Sequence, residues 1–302
     1  MKNIFLLFFL SSFFTSFAQY QIGLIPRTSP DKTISQKIGF TDIKIEYGSP
    51  RVKNREIWGS LVPFDEIWRA GANNATTVEF SEDVKVNGKD LAKGKYALFI
   101  LPRNSTSWYI ILSKKHNQWG SFRYDKADDA VRIEVLPINN DFTENLTYRI
   151  TNRGFNDATI ALLWGKIKIE FGVRIDYFKT LENKIEENAK GVNEDIKWVS
   201  YLQGGEYLVE QKKKLDLAKK WLDKSEELSK VEGEWNKQYY PRDYILGHLY
   251  WTKAKLYALN KDYKNALIYA KKVKTFTGKS SFYSKNDKWE GIDKLMQQWQ
   301  NK

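Results

Sequence analysis

Apolar and polar positions alternate with a period of two from Phe40 to about residue 175, and with a helical period beyond it. In TDIKIEYG, Ile43, Ile45 and Tyr47 fall on one side and charged neighbours on the other, as in a half-buried strand. The same spacing predicts strands over Thr76–Phe80, Val84–Val86, Tyr96–Leu101, Trp108–Leu112, Val131–Leu136, Leu146–Ile150, Thr159–Trp164 and Ile167–Val173. Turn chemistry separates them at VNGKD, PRNSTS and LLWGKIK. Asn87-Gly88 is the sharpest hairpin signal, because both residues tolerate the positive φ of a two-residue turn. Strands in this rhythm imply an antiparallel β-sandwich or barrel over residues 40–175.

From Asp176 the apolar residues recur at three and four. Phe178, Leu181 and Ile185 open a helix that Gly191 closes, and Trp198, Tyr201, Leu202, Gly205, Leu208 and Val209 share one face of the next. LDLAKKWLDKSEEL and YKNALIYAKKVKTF come after it. The second belongs to AKLYALNKDYKNALIYAKK, which resembles a tetratricopeptide hairpin, with Ala254, Tyr257, Tyr263 and Ala266 at its small and aromatic positions. The earlier copy fits poorly, at a spacing longer than the roughly 34 residues of that repeat. In NDKWEGIDKLMQQWQ, Asp287 with Glu290 predicts a capped helix whose apolar face is Trp289, Ile292, Leu295, Met296 and Trp299. The expected class is multidomain α+β, with the β-sandwich followed by an α-helical hairpin array over 176–302.

The opening MKNIFLLFFLSSFFTSFAQ has Lys2, an apolar run from Ile4 to Phe17 and a small-x-small end at Ser16 and Ala18. That pattern predicts a signal peptide, residues 1–18, cut after Ala18. The run is shorter than the roughly 20 residues of a spanning helix, which counts against a retained anchor. The mature chain is therefore expected in the periplasm or outside the cell, without a membrane span. Residues 19–39, polar with Pro26 and Pro30, read as a tether.

Composition narrows the chemistry. With no cysteine there is no lipidated cysteine, thiolate nucleophile or cysteine-bound zinc, and with only His116 and His248 there is no multi-histidine metal centre. No carboxylate spacing suggests a metal, so no metal or cofactor is expected. The formal net charge is +12, spread over both halves, and Arg242 is the single arginine after residue 175. Nucleic-acid sites favour concentrated, arginine-containing patches, so the lysines read as a solvated surface and no nucleic-acid partner is expected.

Four blocks in order resemble a bacterial family known as domain of unknown function 2911: SQKIGFTDIKIEY, SPRVKNREIWGSLVPFDEIWRAGANNATT, VNGKDLAKGKYALFILP, and NQWGSFRYD with AVRIEVLP. The resemblance covers about Ser29 to Ile175 and leaves the helical half outside. It implies an exported, β-rich domain and transfers no activity or site residues. This chain departs from the family pattern in two places. Asn74 stands where the family usually has glutamate, which weakens an acid/base role for that turn. Ser49-Pro50 followed by Arg51 replaces a frequent Arg-Pro.

One stretch, EIWGSLVPFDEIWRAGANNATTVEF, concentrates tryptophan, arginine and turn residues. A packing role has Ile57, Trp58, Leu61, Val62, Ile67 and Trp68 plugging one end of the sandwich, with Arg69 bonded to carbonyls or to Asp65 or Glu66. A binding role joins it to KKHNQWGSFRYD around one pocket. There Trp68 and Trp119 supply flat faces, Arg55 and Arg69 forks for carboxylate or phosphate, and Asn73 and Asn74 neutral edges for a sugar or anionic envelope fragment. A hydrolase would use His116 with a nearby serine or threonine and an orienting carboxylate such as Asp125. His248 reads as helix packing. The helical array could instead hold a protein partner. The leading expectation is an exported envelope binding or assembly module without catalysis, with the hydrolase and the scaffold as alternatives.

Overall fold

The polar stretch at the start of the domain is a strand. The computed structural model describes residues 26–104, 107–231, 242–276 and 291–302. The signal-peptide reading and the Asp287, Trp289 and Glu290 positions lie outside the described residues. The described residues of the first half form ten strands: β1 (Asp31–Ile38), β2 (Thr41–Gly48), β3 (Ala72–Phe80), β4 (Val84–Val86), β5 (Lys89–Leu91), β6 (Gly94–Leu101), β7 (Trp108–Ser113), β8 (Asp129–Val135), β9 (Ile138–Asn152) and β10 (Asp157–Ile175). They form a six-stranded sheet ordered β1-β2-β3-β6-β7-β8 and a four-stranded sheet ordered β5-β4-β10-β9. The expected antiparallel, sheet-rich half and helical half are both present.

Three strand readings need correction. β1 occupies the stretch expected to be a tether. It is an edge strand whose side chains are mostly exposed, so it carries little apolar signal. The predicted strands at Thr159–Trp164 and Ile167–Val173 are one strand, β10. At LLWGKIK, Gly165 takes a φ of 61° and makes a bulge, with the register slipping on both sides of it, rather than a hairpin. β9 also starts eight residues before the predicted Leu146, because its first half is largely solvent-facing. By contrast, Asn87 and Gly88 have φ of 44° and 85° and join β4 to β5, with Val86 paired to Lys89 as a two-residue hairpin requires.

Ile43, Ile45, Val78, Phe80, Leu98, Ile110 and Leu112 belong to the core of the β unit. β3, β6 and β7 are also covered on the opposite face, where Ala75, Ala97, Phe99 and Ile111 pack with Ile67, Tyr109 and Tyr124. Tyr124 donates to Asp129 at 3.0 Å and accepts from Arg132. Burial, followed by the bond to Asp129, pushes its phenol up to about 12. This network holds the loop before β8 over the sheet and brings residues 115–120 beside the start of β3.

The helical unit comprises Gly39–Thr41 and Ile175–Lys302. Its described helices are α1 (Tyr177–Gly191), α2 (Lys197–Glu210), α3 (Leu215–Leu228), α4 (Arg242–Leu259), α5 (Tyr263–Lys274) and α6 (Ile292–Gln300). None is long and apolar enough to cross a membrane. Asp176 caps α1 by accepting from the Lys179 N–H, and Asp262 caps α5 by accepting from that of Asn265. Gly204 and Gly205 let α2 approach Trp221 and Leu222 of α3. The predicted face of α2 is buried throughout, and α6 buries Ile292 and Trp299.

One polar feature joins three of these helices. Lys253 of α4 is only 2% exposed, and its ammonium bonds Asp223 at 2.7 Å and also Glu226, both on α3. From α5, Lys272 reaches Glu226 at 3.1 Å and Tyr269 donates to it at 3.0 Å. The Lys253 ammonium also lies 4.6 Å from the centre of the Tyr269 ring.

Candidate functional site

The long connection between β2 and β3 carries four non-glycine residues at positive φ, Lys53, Asn54, Asp65 and Ala70, and Asn73 at the start of β3 is a fifth. Such conformations cost free energy and persist where the surroundings hold them. Ala70, at φ 54°, is fully buried, and its carbonyl accepts from the Tyr148 hydroxyl at 2.8 Å and from Thr76 Oγ1 at 3.0 Å. Burial raises the Tyr148 phenol well above its ordinary pKa, so it stays a donor. Gly48 of β2 and Ala72 of β3 come so close that a Cβ on Gly48 would lie 2.3 Å from the Ala72 carbonyl oxygen. These contacts fix where Arg69 emerges.

The tryptophans largely do what packing predicts. Trp58 lies 5.5 Å from Trp68, 4.7 Å from Trp108 and 6.1 Å from Trp164, ring centre to ring centre. Trp68 and Trp164 stack at 5.6 Å with planes 13° apart. Backbone bonds in both directions between Trp68 and Ile100 tie the loop to β6.

Arg69 does not meet the packing expectation. Among the described residues no carbonyl or carboxylate accepts from its half-buried guanidinium, and its Nε is buried without a partner. Asp65, one of its proposed anchors, faces Arg103 at 3.6 Å instead. Burial lowers the Arg69 pKa from its ordinary value, which marks a desolvated charge without compensation.

Arg69 lines a cavity of about 270 Å³ with Arg51, Lys53, Arg55, Trp68 and Trp164. Glu144 offsets part of this charge, accepting from Arg51 Nε at 3.3 Å and from the Lys53 N–H at 3.2 Å. Arg55 donates from Nε to the Val52 carbonyl at 3.0 Å and from Nη2 to that of Arg51 at 2.6 Å. The Trp164 indole N–H is likewise buried without a partner. The cavity is rich in donors and poor in acceptors.

The two predicted loops do meet, but around a second cavity. Between the pairs Glu46↔Thr77 and Gly48↔Ala72 the register slips, which releases Asn73 and Asn74 from the ladder, and Asn74 bridges to Trp119 instead. Beside them is a cavity of about 430 Å³ lined by Asp31, Glu46, Asn74, Lys95, His116 and Gln118, among others. Hydrogen bonds from Lys44 and Lys95 hold the Glu46 carboxyl down to about 2, so it remains charged.

Asn73 is not a free edge: its amide donates to the Ser29 carbonyl at 2.9 Å and to Asp31 at 3.3 Å. It pins the chain entering β1, whose Thr28 and Ser29 line the smaller cavity and whose Asp31, Lys32 and Thr33 line the larger. The single pocket expected from sequence is thus two. Arg55, Trp68 and Arg69 line one and Asn74 and His116 the other, while Trp119 is 55% exposed with the Arg27 guanidinium 5.6 Å from its ring centre.

His116 makes no hydrogen bond to a serine, threonine or carboxylate among the described residues. Asp125, its proposed orienting group, accepts from the Ala127 N–H as a cap at 2.9 Å. His248 packs on Tyr244 with ring centres 4.7 Å apart and lies 3.6 Å from Glu206.

Residues 29–173 match the family described as Protein of unknown function (DUF2911), and this part of the chain is a domain of that family. The helical unit falls outside the match, so its tetratricopeptide likeness rests on the sequence pattern. No curated protein and no solved structure matches the chain.

Proposed function

We propose that the β unit is a binding module of the cell envelope that captures a small anion, a phosphate or carboxylate group, in the Arg69 cavity. The carrying observation is the Arg69 guanidinium, half-buried, without a partner among the described residues and flanked by Arg51, Lys53 and Arg55. An unpaired, desolvated cation weakens a fold, whereas a ligand carboxylate or phosphate would engage its fork with two parallel bonds. Trp68 and Trp164 form an apolar wall beside it. Export to the envelope is supported by the signal-like pattern of residues 1–18.

Arg69→Met tests both halves of this reading. With the unpaired cation removed, the ligand-free protein should gain about 1 kcal/mol, as is common when a functional site is neutralised. Phosphate, pyrophosphate, succinate and citrate at millimolar concentration are the probes. At least one should raise the wild-type melting temperature by mass action, and none should raise that of the variant. A shift that survives in the variant, or no shift from any of the four, would sink the proposal.

A further inference from the structure

We infer that the larger cavity is a second, independent site and takes a neutral or N-acetylated saccharide. Its volume of about 430 Å³ lies within the roughly 300–1,000 Å³ of small-molecule sites. The chemistry of its lining differs from that of the Arg69 cavity. Asn74, His116 and Asn117 line it with side chains that form no hydrogen bond among the described residues. Gln118, only 7% exposed, donates its amide to the Lys115 carbonyl at 2.7 Å while its Oε1 has no partner.

Amides and an imidazole both donate and accept, and the two carboxylates present, Asp31 and Glu46, accept only. The charges of the lining balance, Asp31 and Glu46 against Lys32 and Lys95, so it offers an anion no net attraction, and an apolar ligand would leave the amides unpaired. Neighbouring hydroxyls on a sugar ring, each a donor and an acceptor, satisfy such a mixed set.

Trp119 adds the apolar half of sugar recognition. Its backbone bridges to Asn74 of the lining, and its ring is 55% exposed, with the Arg27 guanidinium over it, 5.6 Å from its centre. Phe122, 84% exposed, lies on the same loop. The C–H face of a sugar packs on a flat ring of this kind while its hydroxyls turn toward the amides.

A glycan array of neutral and N-acetylated oligosaccharides, probed with the full chain, tests the inference, followed by titration of the best-bound disaccharide. Trp119→Ala and Asn117→Ala change exposed side chains and should leave the melting temperature unaltered. Each should weaken the disaccharide at least tenfold. Arg69→Met should leave it unchanged, so failure here and failure of the anion site are distinguishable. Binding to no glycan on the array, or affinity that survives both substitutions, would overturn the inference.

Discussion

Replacing Lys253 with methionine should destabilise the helical unit by about 3 kcal/mol, the lower end of the cost of removing one partner from a buried ion pair. Methionine fills nearly the same space, so the loss is electrostatic. Glu226, 18% exposed, would keep only Lys272 and Tyr269, and Asp223 would keep Lys219 at 2.7 Å. Those remaining partners, and the exposure of Asp223, hold the cost to the lower end.

The pH dependence has a definite sign. Burial raises the pKa values of Glu226 and Asp223, but bonds from Lys253 with Lys272, and from Lys219 with Lys253, outweigh it and leave both carboxyls below their ordinary values. A depressed folded-state pKa stabilises above the unfolded value of about 4, and that stability is lost as pH falls through the folded value. Burial likewise pulls the Lys253 ammonium down, and its bonds to Asp223, Glu226 and Tyr269 overcome that to raise it. Its contribution is complete below the unfolded pKa of about 10.4 and fades as pH rises through the folded value. Thermal melts monitored by helical circular dichroism should show the wild type losing stability below about pH 4, and the variant losing less over that range. A variant within 1 kcal/mol of wild type at pH 7 would mean that the network holds no such energy.

Gly48→Ala should cost the β unit about 3 kcal/mol, the upper end for forcing an extra carbon into a packed site. The added Cβ would stand 2.3 Å from the Ala72 oxygen and 2.8 Å from its carbon, both backbone atoms that cannot swing aside. Gly48 lines the larger cavity and Ala72 the smaller, so a shift at this crossing reaches both. Urea unfolding would measure the cost. Disaccharide and phosphate titrations should both weaken in the same variant, and retention of both at wild-type strength would contradict the geometry.

Much of the fold was legible because its signals are local. Alternation marked β2, a bounded apolar run marked β6, Asn87-Gly88 marked a hairpin, and the period of LDLAKKWLDKSEEL matched the span of α3. Two of the misreadings share one cause, namely that solvent-facing strand residues carry no apolar pattern. This hid β1 and the first half of β9, and a positive-φ glycine serves a bulge as well as a turn, which split β10 in two. The site was legible as a cluster and illegible as a partition. Asn73 reaches Ser29 across 44 residues, and no spacing rule anticipates that the entering chain divides one pocket into two. Lys253 was equally opaque, since helical periodicity assigns lysine to solvent and its carboxylates lie 30 and 27 residues away.

The concentration of cations around Arg69 also acts before any contact is made. Arg51, Lys53 and Arg55 surround the same opening, and at physiological ionic strength the field of such charges reaches about 8 Å into the solvent. An approaching anion is drawn and oriented by that field, whereas its departure depends on the bonds it has formed at Arg69. Added salt therefore slows arrival far more than it hastens escape. Under the proposed function the cavity would capture dilute anions rapidly, and its selectivity among them would be decided afterwards, by which ones stay.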